Sequence, residues 1–162
     1  MGEIGVFFEK RAPQSLDLNL LANYDGFILS GRKKNEKKIN EINSKIIKYC
    51  VKNNVKLLGI CYGAEILALT LGGTIRKTSS VQKGNESVQT LKKNLVCNDS
   101  LNVFESHAFE ISKLPNSLVH LAGSENCKYE IVQYEKKSIF GTQFHPEMSQ
   151  DGNNLIKKFC LL

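Results

Sequence analysis

A cysteine flanked by glycines, at the end of an apolar segment, is the feature that most restricts the fold of this chain. The apolar residues 55–58 lead into Gly-Ile-Cys-Tyr-Gly at residues 59–63, and an apolar stretch of helical character follows at residues 64–71. This order predicts a strand, a sharp turn that carries a reactive side chain, and a helix. The glycines let the backbone cross tightly, and the positive end of the helix favours a thiolate and an oxyanion. The sequence therefore predicts a nucleophile elbow at Cys61.

Strands and helices alternate in the first half of the chain. Apolar residues recur at helical spacing between Ile39 and Cys50, which predicts an amphipathic helix over about residues 35–53. Such alternation is typical of a mostly parallel, doubly wound sheet with helices on both faces, which is a three-layer α/β sandwich. The other predicted elements are strands at residues 3–9, 27–29 and 56–60, a short helix at residues 16–24, and a helix at residues 63–71 that ends at two glycines.

The second half of the chain is richer in strands. Lys136 and Lys137 predict a hairpin turn between the last two strands, and Asp151 is a candidate N-cap for a final helix that ends near Phe159. With 162 residues, the whole chain (1–162) is expected to form one domain. The predicted strands of this half cover residues 74–76, 87–91, 95–97, 119–122, 130–134 and 138–143.

Composition and charge restrict the partners and the compartment. The net charge is +6, and the densest basic segment, residues 32–38, is either a solvated loop or a patch that faces a partner. No motif indicates nucleic-acid binding, and no apolar run approaches the roughly 20 residues of a membrane helix. The N-terminus lacks the basic region with which a signal peptide begins, so we expect no signal peptide. The five cysteines include no CxxC pair and no zinc-type spacing, so we expect reduced thiols in the cytoplasm and no metal site.

Three predicted strand ends bring candidate site residues to one edge of the sheet. Gly31, Cys61 and His145 each follow a predicted strand. Ligands of open α/β sheets bind beyond the carboxyl ends of such strands, near the point where the strand order reverses. We therefore expect these three residues to meet in one site.

A thiol nucleophile needs a base or a positive field to form the thiolate, and His145 is the best candidate for that base. Glu147 lies two residues further on, where an extended backbone directs it to the same side, so its carboxylate could orient the imidazole. The prediction is a triad of Cys61, His145 and Glu147. The plainer alternatives are a small core cysteine and a capping or surface histidine, and His107 is a weaker rival base.

Several motifs together resemble the class I, triad-type glutamine amidotransferases. They are Gly-Ile-Cys-Tyr-Gly at residues 59–63, Leu-Gly-Gly at 71–73, Ser-His at 106–107 and Phe-His-Pro-Glu at 144–147. The resemblance covers about residue 24 to the end of the chain. Within the family, it is strongest to the glutaminase subunits of GMP synthases, through residues 61–63, 114–115, 123–127 and 139–147.

The resemblance implies that the Cys61 thiolate attacks the side-chain amide of glutamine, that His145 protonates the departing ammonia, and that Glu147 orients His145. It implies backbone oxyanion donors at Tyr62 and Gly31 and substrate contacts at Gly31, Glu65, Ser106 and His107. The ammonia would pass to a synthetase that aminates adenylylated XMP in GMP biosynthesis. The chain contains no ATP-binding loop, so no cofactor is expected here, and ATP and Mg²⁺ would belong to the synthetase.

Three features depart from the family pattern. Arg32 follows Gly31 where the family usually has a second glycine and a proline, and Glu65 stands where it usually has a glutamine that touches the substrate. The family also usually begins with a further strand and helix, so we expect a shortened chain with exposed strand edges. These departures keep two alternatives open, a stand-alone γ-glutamyl hydrolase and a catalytically weakened regulatory or binding subunit.

Overall fold

The computed structural model describes residues 5–31 and 35–162 and contains seven strands and three α-helices in those ranges. The strands are β1 (Gly26–Leu29), β2 (Lys56–Ile60), β3 (Thr74–Thr90), β4 (Leu101–Lys113), β5 (Leu118–Gly123), β6 (Ile131–Tyr134) and β7 (Ile139–Thr142). The helices are α1 (Lys37–Asn53), α2 (Tyr62–Thr70) and α3 (Gln150–Cys160), with 3₁₀ turns at Pro13–Ser15, Leu18–Asn23 and Pro146–Met148.

The strands form one mixed sheet in the order β1-β2-β7-β6-β5-β3-β4. The three strands β1, β2 and β7 run parallel, whereas the other four pairings are antiparallel. The predicted α/β class is confirmed, but the sheet is less parallel than expected. The reason is local, because β5, β6 and β7 follow one another through short connections, which join antiparallel neighbours.

Helices cover both faces of the sheet, as the three-layer prediction required. Neighbouring residues of a strand point to opposite faces, so Leu57 packs with Ile47 of α1 and Leu67 of α2 in one apolar cluster. Leu58 packs in a second cluster with Phe159 of α3. The two clusters place α1 and α2 on one side of the sheet and α3 on the other.

Strands β3 and β4 form a long antiparallel ribbon. Of this ribbon, the sequence predicted only the two ends of β3. Its register shifts between Lys77 and Gln82. Strand β4 was not predicted from the sequence, because its buried positions include Glu105, His107 and Glu110, each 4–5% exposed. Charged residues at inward positions hide the alternation of apolar and polar residues by which a half-buried strand is predicted.

Several local predictions were wrong or only partly right. Residues 5–9 of the predicted first strand form no strand, and residues 1–4 lie outside the described part. No strand forms at residues 95–97, because the Asn94 side chain accepts hydrogen bonds from the backbone N–H groups of Val96 and Cys97 (3.0 and 2.8 Å) and makes a turn. Within the described ranges, no helix is both long and apolar enough to cross a membrane.

The N-cap of the final helix is Ser149, not Asp151. The Ser149 hydroxyl accepts a hydrogen bond from the Gly152 N–H at 3.1 Å, which is the usual geometry of a cap. Asp151 instead accepts a hydrogen bond from the backbone N–H of Asn102 at 2.8 Å. Asp151 therefore joins α3 to the start of β4.

Candidate active site

The strand, turn and helix predicted around Cys61 are present. Cys61 lies between β2 and α2 with φ 50° and ψ −106°, a conformation that a non-glycine residue rarely adopts. A Cβ on Gly63 would lie 2.3 Å from the Leu29 carbonyl oxygen, and one on Gly59 would lie 2.6 Å from the Gly63 carbonyl carbon. The two glycines thus allow α2 to pack directly against β1 and β2, and this packing holds Cys61 in its strained turn.

The parallel strands bring the three predicted strand ends together. Leu29 is in register with Gly59, and Ile60 with Thr142, so β1, β2 and β7 end at the same edge of the sheet. A Cβ on Gly31 would lie 2.9 Å from His145 Cε1 and 3.4 Å from Cys61 Cβ. Gly31 therefore packs against both of these side chains, and the site has room for a glycine only.

His145 contacts both other members of the predicted triad. Its Nδ1 lies 2.8 Å from Glu147 Oε1, and its ring also interacts with the Cys61 side chain. The Cys61 interaction and the hydrogen bond with Glu147 together raise the pKa of His145 to about 10. Partial burial opposes charge on Glu147, but the hydrogen bond with His145 holds the pKa of this carboxyl below its ordinary value. An imidazolium beside the sulfur stabilises a thiolate.

Backbone hydrogen bonds fix Cys61 and His145, the predicted nucleophile and base. The Cys61 N–H donates to the Thr142 carbonyl at 2.7 Å, and the His145 N–H donates to the Phe104 carbonyl of β4 at 2.9 Å. The Cys61 thiol lies 3.9 Å from the Ser106 carbonyl oxygen. The curled end of the β3–β4 ribbon thus forms one wall of the site, and the backbone of Ser106 belongs to it.

His107 lies beneath this wall rather than beside the nucleophile. Its side chain is 1% exposed, with Nδ1 2.8 Å from the Phe109 carbonyl oxygen and Nε2 3.0 Å from Glu105 Oε2. Burial opposes charge on the ring, but the interaction with Glu105 outweighs it, and the pKa of His107 is raised. The buried imidazole of His107 is therefore not placed to contact a substrate, whereas Ser106 is exposed.

Glu65 is buried one turn after Cys61 on α2 and is 4% exposed. Its Oε1 accepts a hydrogen bond from Gln143 Nε2 at 3.3 Å. Burial raises the pKa of Glu65 despite this hydrogen bond and the nearby charge of His107. Gln143 was not predicted as a site residue, although it lies only two residues before His145.

The remaining predicted site residues lie at the margins of the site. Tyr62 is the first residue of α2, directly after the nucleophile, and its hydroxyl forms hydrogen bonds with the side chains of Asn35 and Asn40. This contact ties the elbow to the start of α1. Arg32 lies outside the described residues.

Comparison with known proteins decides the family. The family model described as glutamine amidotransferase class-I matches residues 4–161. The chain belongs to the class-I glutamine amidotransferases. The chain is therefore a glutamine amidotransferase enzyme with the fold of this family.

Relatives of this amidotransferase include GMP synthases. The chain is 33% identical over 153 residues to a subunit of the glutamine-hydrolyzing GMP synthase of Picrophilus torridus, covering 91% of this chain and 81% of the relative. It is 30% identical over 145 residues to the glutamine-hydrolyzing GMP synthase of Aliivibrio fischeri, covering 86% of this chain but only 28% of that longer protein. The crystal structure of a candidate GMP synthase subunit from Thermoplasma acidophilum superposes with a TM-score of 0.77 at 28% identity, covering 88% of this chain and 74% of that one.

Proposed function

We propose that this chain is a glutaminase in which Cys61, His145 and Glu147 act as a catalytic triad and that it supplies ammonia to a synthetase. The observation that carries the proposal is the meeting of three strand ends at one point. Gly31 packs against both Cys61 and His145, and Glu147 binds the imidazole at 2.8 Å. Nucleophile, base and orienting carboxylate thus follow one another within contact distance, as nucleophilic catalysis requires.

In the first half of the reaction, the Cys61 thiolate attacks the side-chain carbonyl carbon of glutamine and forms a C–S bond. A pKa of about 10 keeps His145 protonated at neutral pH. Since Nδ1 binds Glu147, Nε2 donates its proton to the amide nitrogen as the C–N bond breaks. Ammonia leaves, and a γ-glutamyl thioester remains on Cys61.

In the second half, neutral His145 takes a proton from water, and the hydroxide oxygen attacks the thioester. The C–S bond breaks, glutamate leaves, and the thiolate and imidazolium are restored. Glu147 stabilises the imidazolium at the start and at the end of the cycle. We assign the oxyanion donors to the backbone of Tyr62, at the positive end of α2, and to the loop at Gly31.

The names of the relatives support a partner and a product. The Picrophilus torridus relative is named as one subunit of a glutamine-hydrolyzing GMP synthase. We propose by analogy that a separate synthetase subunit, which would hold ATP and Mg²⁺, uses the ammonia to aminate XMP. This chain itself would need no cofactor, and its reduced thiols fit a place in the cytoplasm.

Substitution of Cys61 by serine tests the proposal directly. Glutamate release from glutamine is measured for the chain alone and with a GMP synthase synthetase subunit. We expect Cys61→Ser to lose activity on the order of 10³-fold or more. Cys160→Ser, which changes a cysteine in the last turn of α3, is the matched control and should stay active. Equal rates for Cys61→Ser and the parent chain, or no glutamine hydrolysis even with the partner, would refute the proposal.

The same assay separates glutaminase from a stand-alone γ-glutamyl hydrolase. Glu65 favours the second function if it is a carboxylate, because it lacks the hydrogen-bond donors of an amide. Its burial and its hydrogen bond with Gln143 turn it towards the protein interior, so we prefer glutamine. Faster hydrolysis of γ-glutamyl peptides than of glutamine, with the synthetase present, would reverse this preference.

A further inference from the structure

Gln143 joins the two segments that carry the nucleophile and the base. The residue is fully buried, and its Nε2 donates hydrogen bonds to the Phe109 carbonyl oxygen (3.2 Å) and to Glu65 Oε1 (3.3 Å). Glu65 lies four residues after Cys61 on α2, and Gln143 lies two residues before His145. A change in the contact between Glu65 and Gln143 would therefore move Cys61 relative to His145.

The side-chain carbonyl oxygen of Gln143 shows that the contact between Glu65 and Gln143 needs a second hydrogen bond. Gln143 Oε1 is buried and has no hydrogen-bond partner among the described residues. Leaving a buried acceptor without a donor costs roughly 1–3 kcal/mol. The amide orientation is fixed, because the Phe109 carbonyl oxygen accepts hydrogen bonds only and must face the NH₂ group.

Glu65 can supply the missing donor only in its acid form. A carboxylate accepts hydrogen bonds only, whereas a carboxylic acid has an O–H donor beside its carbonyl oxygen. An acid and an amide that face each other can exchange two hydrogen bonds, one in each direction. The burial that raises the pKa of Glu65 is consistent with this form.

We propose that Glu65 and Gln143 form a two-point acid–amide pair, in which Gln143 Nε2 donates to Glu65 Oε1 and the Glu65 hydroxyl donates to Gln143 Oε1. This pair positions Cys61 against His145, so its catalytic role rests on the proposed glutaminase function. Glu65 and Gln143 are positioning residues here, because they act on the reaction through the segments that they join.

Ionisation of Glu65 would break the pair. The proton of its hydroxyl would be lost, and the new negative charge would face the lone pairs of Gln143 Oε1. The charged group that acts on Glu65 is His107 of β4, which lies 3.0 Å from Glu105, and the hydrogen-bond partner of Glu65, Gln143, is uncharged. The pair therefore exists below the pKa of Glu65 and is lost as the pH rises through it.

The pH dependence of glutamine hydrolysis tests the pair. In Glu65→Gln, an amide–amide pair keeps both hydrogen bonds but cannot titrate, so we expect the decline in kcat to begin at a higher pH than in the parent chain. The remaining decline in kcat should follow the deprotonation of His145, whose pKa is about 10. Gln143→Leu removes both hydrogen bonds and should lower kcat roughly tenfold. Glu41→Gln, on an exposed position of α1, removes the same charge and should keep the parental profile.

Infrared difference spectroscopy tests the protonation of Glu65 without relying on activity. The spectrum of the parent chain minus that of Glu65→Gln, recorded at neutral pH, should contain the carbonyl stretch of a protonated carboxyl. A carboxylate signal in its place, or superimposable pH profiles for the parent and Glu65→Gln, would overturn the pair. Absence of any glutaminase activity in the parent chain would contradict the proposed function instead, and the infrared result would still decide the pair.

Discussion

At the scale of single residues, the charge of His145 depends on two neighbours. The interaction with Cys61 is the larger cause of its raised pKa, and the hydrogen bond with Glu147 is the second. The Glu147 side chain is 47% exposed, so water can take over part of its role when it is removed. The His145 side chain is only 17% exposed, so water can replace it less readily. Glu147 should thus matter less than either Cys61 or His145.

We expect Glu147→Gln to lower kcat/KM for glutamine roughly 10- to 100-fold. The loss of the carboxylate lowers the pKa of His145, so the imidazolium should disappear at a lower pH than in the parent chain. The rate of Cys61 alkylation by iodoacetamide is measured across pH. The alkaline part of this pH profile should move to lower pH in the variant. An unchanged alkylation profile would show that Glu147 does not act on His145.

The sequence predicted the meeting of Cys61 and His145 better than the contacts of the residues around them. Cys61 and His145 follow parallel strands, and their chemistry is visible in the chain as a glycine-flanked thiol and a histidine with a nearby carboxylate. The position of Gln143 two residues before His145 was visible, but its partners Glu65 and Phe109 were not. These contacts form because β4 lies against the segment of His145, and no spacing along the chain reveals that long-range approach.

At the scale of elements, the close approach of α2 to β1 sets the geometry of the elbow. The first turn of α2 lies against the backbone of Leu29, where a Cβ on Gly63 would stand 2.3 Å from the carbonyl oxygen. Because the obstacle is backbone, a side chain at this position can be accommodated only if the helix or the strand moves. The position of Cys61 would move with either of them.

We expect Gly63→Ala to destabilise the fold by about 1–3 kcal/mol, the usual cost of overpacking. It should also lower glutaminase activity by a larger factor than the loss of folded protein explains, because Cys61 shifts away from His145. Urea unfolding gives the first quantity, and rates per folded molecule give the second. A fully stable and active variant would show that the α2–β1 approach is less restrictive than its distances indicate.

The elements that sequence patterns predict well are those with apolar inner faces. Helix α1 buries Ile39, Ile46, Ile47 and Cys50, and its predicted range differs from the structure by two residues at one end. Strand β4 has the opposite character, since acidic and histidine side chains fill several of its inward positions. Polar burial of this kind becomes favourable only when another strand or helix supplies the partners, so it has no signature before the fold is known.

At the scale of the whole molecule, a buried group of ionisable residues makes the fold sensitive to pH. Glu130 is fully buried, and the Ser124 hydroxyl donates a 2.7 Å hydrogen bond to its Oε1. Burial first, and the charge of Glu105 second, raise the pKa of Glu130 to about 9. Glu105 Oε2 in turn lies 3.0 Å from His107 Nε2, so the three side chains form one buried group in which Glu130 holds its proton up to about pH 9.

The raised pKa of Glu130 fixes the direction in which stability changes with pH. Between the ordinary glutamate range near 4.5 and about 9, the folded state holds a proton that the unfolded state has released. Glu130 should therefore contribute fully to the free energy of unfolding below that window. This contribution should fall as the pH rises through the window, by on the order of a few kcal/mol in total.

Glu130→Gln keeps a neutral side chain of the same shape at every pH, so its urea midpoint should decline less between pH 5 and pH 9. Glu125→Gln, an exposed change in the same connection between β5 and β6, should follow the parent curve. Parallel curves for Glu130→Gln and the parent would mean that Glu130 is ionised in the folded protein and that another group stabilises its charge.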